Sequence, residues 1–158
     1  MIVGCGCRGR SLGGRLAEAG WTVRGTTRDT ARRSEIEAAG IEATTADPAR
    51  PGTILELVGD VAVIHWLLSD ARGRSEELEA VHGSSLEALL EKLVDTPVRG
   101  FVYEAAGGVP AGHLQRGAAL VRAAADTWRI PVEIVTREPA DHPQWLDAMA
   151  AATQRLID

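Results

Sequence analysis

A three-layer α/β/α fold around a doubly wound, mainly parallel sheet of about six strands is predicted by three observations on the sequence. Short apolar runs of strand type alternate with helical periodicities from one end of the chain to the other. The fourth run, residues 61–67, is apolar almost without a break, as a strand covered on both faces requires. The first run opens into a glycine-rich turn, Gly4-Cys5-Gly6-Cys7-Arg8-Gly9, immediately before a helical pattern. With 158 residues, 45% hydrophobic and 25% charged, the chain is expected to fold as one domain over residues 1–158 without a metal or disulfide.

The elements follow in order. Ile2-Val3 is a strand stub, and residues 11–19 form a helix with Leu12 and Leu16 on one face, ended by Gly20. Residues 21–27 read as a strand, 30–39 as a helix closed by Gly40, and 41–46 as a third strand. This β-α-β-α-β unit is the mononucleotide-binding half of a Rossmann fold. Asp47-Pro48 and Arg50-Pro51-Gly52 mark a turn before a short helix, 53–58, and the fourth strand, 61–67. Residues 75–94 carry Leu78, Val81, Leu86, Leu89, Leu90 and Leu93 on one stripe, one long helix interrupted at Gly83-Ser84-Ser85. A strand at 98–103, a helix at 112–128, a strand at 132–136 and a helix at 143–157 complete the alternation, which implies right-handed crossovers.

Charge and composition exclude several classes of partner. The net charge is -5 and the basic residues are scattered, with Lys92 the only lysine, so there is no footprint for nucleic acid. No apolar run approaches the roughly 20 residues that span a bilayer, and no charged-then-apolar leader precedes the glycine turn. The expectation is a cytoplasmic protein without membrane or nucleic-acid partners. Cys5 and Cys7 lie too close along the chain for an ordinary disulfide and are too few for a zinc cage. They read as small residues of a crowded turn, and no metal site is expected.

The turn has the spacing of a phosphate cradle. Phosphate needs backbone N–H donors at close range, which a helix N-terminus supplies. Gly4 would permit the tight turn, Gly6 would remove the Cβ that strikes a diphosphate, and Gly9 would let the helix pack on the strand. Gly4, Cys5, Gly6, Cys7, Arg8 and Gly9 are therefore the candidates for holding the diphosphate of a dinucleotide. At the tip of the second strand, Thr27 stands where a carboxylate would select NAD, and the guanidinium of Arg28 suits a 2′-phosphate. NADP is favoured over NAD, with Asp29 pulling the other way.

These residues resemble the extended and atypical short-chain dehydrogenase/reductase families, the group of nucleotide-sugar epimerases and dehydratases, over nearly the whole chain. Gly4 to Gly9 is similar to the family's cofactor turn and Val23 to Asp29 to its "V-x-G-x-x-R-D" strand. The resemblance implies that Asp47 meets the adenine and that Leu67, ending a segment (DVAVIHWLL) similar to "DVVIHLAA", lies beside the cofactor. VHGSSL at 81–86 is similar to "VN-x-GT-x-x-L", and 131–137 to "PVTILR". It also implies a Y-x-x-x-K pair and a Ser or Thr at the end of the fifth strand, none of which this chain has. Ala105 and Ala106 replace the hydroxyls, the only tyrosine, Tyr103, lies inside the strand, and Lys92 is on another helix. His113 and Gly117 fall in the two catalytic slots, so His113 is the one candidate proton donor there.

The resemblance further implies a smaller substrate domain, absent from these residues, and a homodimer through helices 75–94 and 112–128. Three functions fit. One is a dinucleotide-binding or regulatory module without its own redox chemistry, acting on no identified small-molecule substrate. Another is an NADP-dependent oxidoreductase or epimerase whose unusual proton donor is His113, Cys7 or a group from another subunit. The third is an interaction scaffold without a ligand.

Overall fold

In the computed structural model, which describes residues 1–158, the strands are β1 (Ile2–Val3), β2 (Arg24–Thr27), β3 (Glu42–Thr45), β4 (Val63–Trp66), β5 (Gly100–Glu104) and β6 (Val132–Val135). All pair in parallel, in the order β3-β2-β1-β4-β5-β6. The order reverses between β1 and β4, and at such a reversal the carboxyl ends of the strands open a crevice. The helices α1 (Cys7–Glu18), α2 (Arg33–Ala38) and α7 (His142–Arg155) cover one face of the sheet. The other is covered by α3 (Pro51–Leu55), α4 (Ser75–Val81), α5 (Ser84–Leu93) and α6 (Ala111–Trp128). The chain thus has the three-layer Rossmann-like architecture that its alternation predicts.

Each face has its own core. Leu12, Leu16, Ile36, Trp145 and Met149 pack on Ile2, Val63 and Val102, whereas Ile54, Leu86, Leu89, Leu90 and Val121 pack on Ile64, Trp66 and Phe101. Every residue of β4 and β5 is buried, which is why these runs read as continuous rather than alternating. Each fully buried large side chain contributes about 1.5–3 kcal/mol relative to exposure.

Several boundaries differ from the sequence expectation, each for a local reason. Helix α1 begins at Cys7 rather than at residue 11, because Gly6 is its N-cap and the rest of the glycine turn is already its first helical turn. The second strand starts at Arg24, since Trp21 N–H turns back to the Leu16 carbonyl (3.0 Å) and closes α1 instead of joining the ladder. Asp29 caps a single 3-10 turn, Thr30–Arg32, ahead of α2. Pro51 starts α3 two residues earlier than expected, with proline in its first turn. The remaining strands and helices differ by one or two residues at their ends.

The expected long helix 75–94 is two helices, broken at His82 and Gly83. The His82 side chain is wholly buried, where Nε2 donates to the Leu68 carbonyl (3.0 Å) and Nδ1 accepts from the Tyr103 hydroxyl (2.7 Å). Burial lowers its pKa to about 4, so the ring is neutral, as that pairing requires. The same burial raises the Tyr103 pKa. Helix α6 crosses Tyr103 at Gly117, where a Cβ would overlap the phenol. His65 is likewise buried and neutral, its pKa lowered to about 3 by burial. Its Nε2 donates to Thr153 Oγ1 (2.7 Å), whose own proton goes to the Met149 carbonyl (3.0 Å). No helix is long and apolar enough to cross a membrane.

Candidate functional site

The glycine turn lies at the crevice, held from beneath by β2. Cys5 N–H donates to the Thr26 carbonyl (2.9 Å), Gly4 N–H to Thr26 Oγ1 (3.4 Å) and Gly6 N–H to the Gly4 carbonyl (2.9 Å). Gly4 has φ of 83°, and a Cβ there would lie 2.5 Å from the Leu67 carbonyl oxygen. Only glycine suits that position. At Gly6 the backbone is extended and a Cβ would have nothing within 4 Å, because it would project into open space. At Gly9 a Cβ would come within 3.3 Å of Cys5 Sγ and Ile2 Cγ2, so α1 sits directly on β1.

Three N–H groups at the start of α1, those of Cys7, Arg8 and Gly9, have no acceptor in the chain. The helix is 12 residues long, has no side-chain cap and no acid in its first turn. Its positive dipole end and three free donors therefore face the space that Gly6 leaves open. Cys5 contributes backbone only: its thiol is packed under the turn, and burial raises its pKa to about 11. Cys7 is exposed, and both thiols are free.

The turn, Thr27, Arg28 and Leu67 line one cleft of about 500 Å³, to which Arg32 and Arg72 also belong. Three guanidinium-bearing residues thus gather beside the tip of β2, two of which the sequence did not single out. Arg28 is half-exposed, with Nη2 3.5 Å from the Arg72 carbonyl and Nη1 3.7 Å from Glu77 Oε2. Asp29 stands among them, its Oδ2 4.0 Å from Arg32 Nε. Its carboxylate accepts from Ala31 N–H (2.9 Å), capping its own turn. Asp47 is outside the cleft lining, although its neighbours Ala46 and Pro48 are in it, and its carboxylate accepts from Ala49 N–H (3.0 Å).

Arg8 behaves differently from the rest of the turn. Its N–H faces the cradle, but its side chain runs across the crevice towards β5. Nη2 lies 3.1 Å from Glu104 Oε1 and donates to Oε2 (3.2 Å), while Nη1 lies 2.9 Å from Asp70 Oδ2. A weaker bond reaches Ser69 Oγ (3.4 Å), and the guanidinium carbon is 5.3 Å from the centre of the Trp145 ring. Glu104, the last residue of β5, is 0% exposed. It also accepts from Trp145 Nε1 (2.9 Å) and Ser69 N–H (3.3 Å). Burial raises its pKa against the opposing pull of Ser69, Arg8 and Trp145. The signal for this network was present in the sequence as an acid ending an otherwise apolar strand, Phe101-Val102-Tyr103-Glu104, because a buried carboxylate needs a cation.

His113 is in the first turn of α6, outside the linings of the cleft and of the smaller hollow beside it. Tyr103 is buried against His82 and Lys92 is exposed on α5. No hydrogen bond joins any two of His113, Tyr103 and Lys92.

No protein-family model and no curated protein matches the chain. Solved structures do. The chain is similar to gox2253 (19% identity, TM-score 0.72, covering 85% of this chain and 49% of that one). It is similar to the UDP-glucuronic acid 4-epimerase of Bacillus cereus, solved with NAD (15%, TM-score 0.65, covering 84% and 53%). A third is the triphenylmethane reductase of Citrobacter sp., solved with NADP(H) (15%, TM-score 0.63, covering 84% and 47%). The chain spans about half the length of each, and at these identities the likeness establishes the shared fold.

Proposed function

We propose that this chain is a dinucleotide-binding module of the short-chain dehydrogenase/reductase type, which takes NADP in preference to NAD and has no redox chemistry of its own. One observation carries the reading: three unpaired N–H groups at the N-terminus of α1 face a space left open by Gly6, at the reversal of strand order. The neutral Thr27, with Arg28, Arg32 and Arg72 around it, supports the preference for a 2′-phosphate. The absence of redox chemistry is supported by Ala105 and Ala106 just after β5 and by His113 outside the linings of the cleft and the hollow; of the named donors only Cys7 lines the cleft, at the glycine turn itself.

Thermal unfolding with and without cofactor tests this. NADPH at about 100 times its dissociation constant should stabilise the chain by roughly 2.7 kcal/mol, and the absence of any shift with NADPH or NADH would sink the reading. Arg28→Ala is expected to weaken NADPH by about tenfold or more, as loss of a charge-assisted phosphate contact implies, and NADH by less than about twofold. Equal weakening of both would overturn the 2′-phosphate assignment. The reading includes a homodimer through α5 and α6. It is supported by a groove of about 330 Å³ between them, lined by Leu90, Leu120, Ala124 and Trp128. Sedimentation equilibrium should return twice the chain mass, and a monomer mass would remove the dimer.

A further inference from the structure

The crevice over the strand ends is divided. The cleft at the glycine turn serves the β1–β2 side, and a shallower hollow of about 360 Å³ lies beyond it, lined by Gly107, Gly108, Glu138, Pro139 and Ala140. Arg8 and Asp70 belong to the walls of both. The loops after β4 and β5 are also tied together: Val109 N–H donates to the Ser69 carbonyl (2.8 Å), and Gly108 N–H donates to Asp70 Oδ1. A dinucleotide on this fold lies across the reversal point, with one nucleotide over each half of the sheet. Here the path to the second half is crossed by the Arg8 side chain, its two carboxylates and the strapped loops.

We propose that the Arg8–Asp70–Glu104 bridge bars the nicotinamide half, so that the site recognises a 2′-phosphorylated adenosine diphosphate moiety and gains nothing from nicotinamide. The inference rests on the dinucleotide-cradle reading above and narrows its ligand. The bar is not a loose surface pair. Glu104 is wholly buried, and swinging Arg8 aside would strip it of its only cationic partner while uncovering Trp145. The three free N–H groups of α1 and the arginines beside β2 lie on the near side of Arg8, so every contact available to the adenosine half survives with the bar in place.

The test is isothermal titration of the full chain with NADPH and with 2′-phospho-ADP-ribose, which is the same molecule without nicotinamide. The two dissociation constants should agree within about threefold, which is less than 0.7 kcal/mol. NADPH binding tenfold or more tighter would overturn the bar and leave the cradle standing. If neither ligand binds, the cradle itself has failed and the bar falls with it. The double variant R8M/E104Q removes both charges while keeping their bulk, and it should acquire at least about a fivefold preference for NADPH. A folded double variant that still does not distinguish the two ligands would overturn Arg8 as the barrier. Should the double variant not fold, the comparison on the native chain decides alone.

Discussion

Gly6→Val is expected to reduce NADPH affinity by at least about 100-fold while costing less than about 1 kcal/mol of stability, and Gly4→Ala is expected to lose stability first. The two residues are two positions apart in one turn, yet their surroundings differ. At Gly6, φ of -77° and ψ of -156° suit any residue, and a Cβ meets nothing, so the folded chain loses only a modest capping preference. That vacant volume is where the diphosphate would sit against the N–H groups of Cys7, Arg8 and Gly9. A valine there displaces it from charge-assisted hydrogen bonds worth about 1.5–3 kcal/mol each, and losing two is already more than 100-fold.

At Gly4 the reverse holds. Its φ of 83° is strained for any L side chain, and the added Cβ falls 2.5 Å from the Leu67 carbonyl in β4's continuation. Backbone strain of about 1–3 kcal/mol and overpacking of similar size predict a loss of about 2–5 kcal/mol. Urea denaturation and NADPH titration on both variants check the contrast. An unchanged dissociation constant for Gly6→Val would remove the cradle, and a Gly4→Ala variant within about 0.5 kcal/mol of the parent would show that the turn is built differently.

The contrast also shows where sequence reading reached its limit. The alternation of strands and helices, the three layers and the place of the glycine turn follow from local pattern. Runs such as Val63-Ile64-His65-Trp66 announce buried strands, and three glycines at fixed spacing announce a close approach. What was hidden depends on groups far apart in the chain. Arg8 and Glu104 are 96 residues apart, so nothing local distinguishes an arginine that serves phosphate from one that serves a buried acid. The interruption at Gly83-Ser84-Ser85 was legible, but that it separates two helices with the His82 ring turned inward depends on the tertiary partners Leu68 and Tyr103. The cluster of Arg32 and Arg72 with Arg28 required the cleft itself, because Arg72 lies on the loop after β4. That Asp29 both caps the turn after β2 and lies 4.0 Å from Arg32 likewise needed the folded chain.

Arg8→Ala is expected to destabilise the chain by about 3–5 kcal/mol near pH 8, because it leaves Glu104 buried without a counter-charge. The loss should depend on pH with a definite sign. Burial holds the folded-state pKa of Glu104 above its ordinary value of 4.5. Between 4.5 and that raised value the folded chain binds more protons than the unfolded chain, so stability falls as pH rises through the window and is level above it. Arg8 pulls the pKa down, and its removal therefore raises the upper edge of the window and prolongs the fall into higher pH. Glu104→Gln abolishes this contribution to the slope and retains an acceptor for Trp145 Nε1, so it should cost less than Arg8→Ala. Unfolding free energies of the three proteins between pH 5 and pH 9 separate the causes. If Arg8→Ala lost the same stability at every pH, and Glu104→Gln lost as much, Arg8 would be acting through its packing on Trp145 rather than as the counter-ion of Glu104. A slope present in the parent, steeper or longer in Arg8→Ala and absent in Glu104→Gln identifies Arg8 as the counter-ion of the buried Glu104.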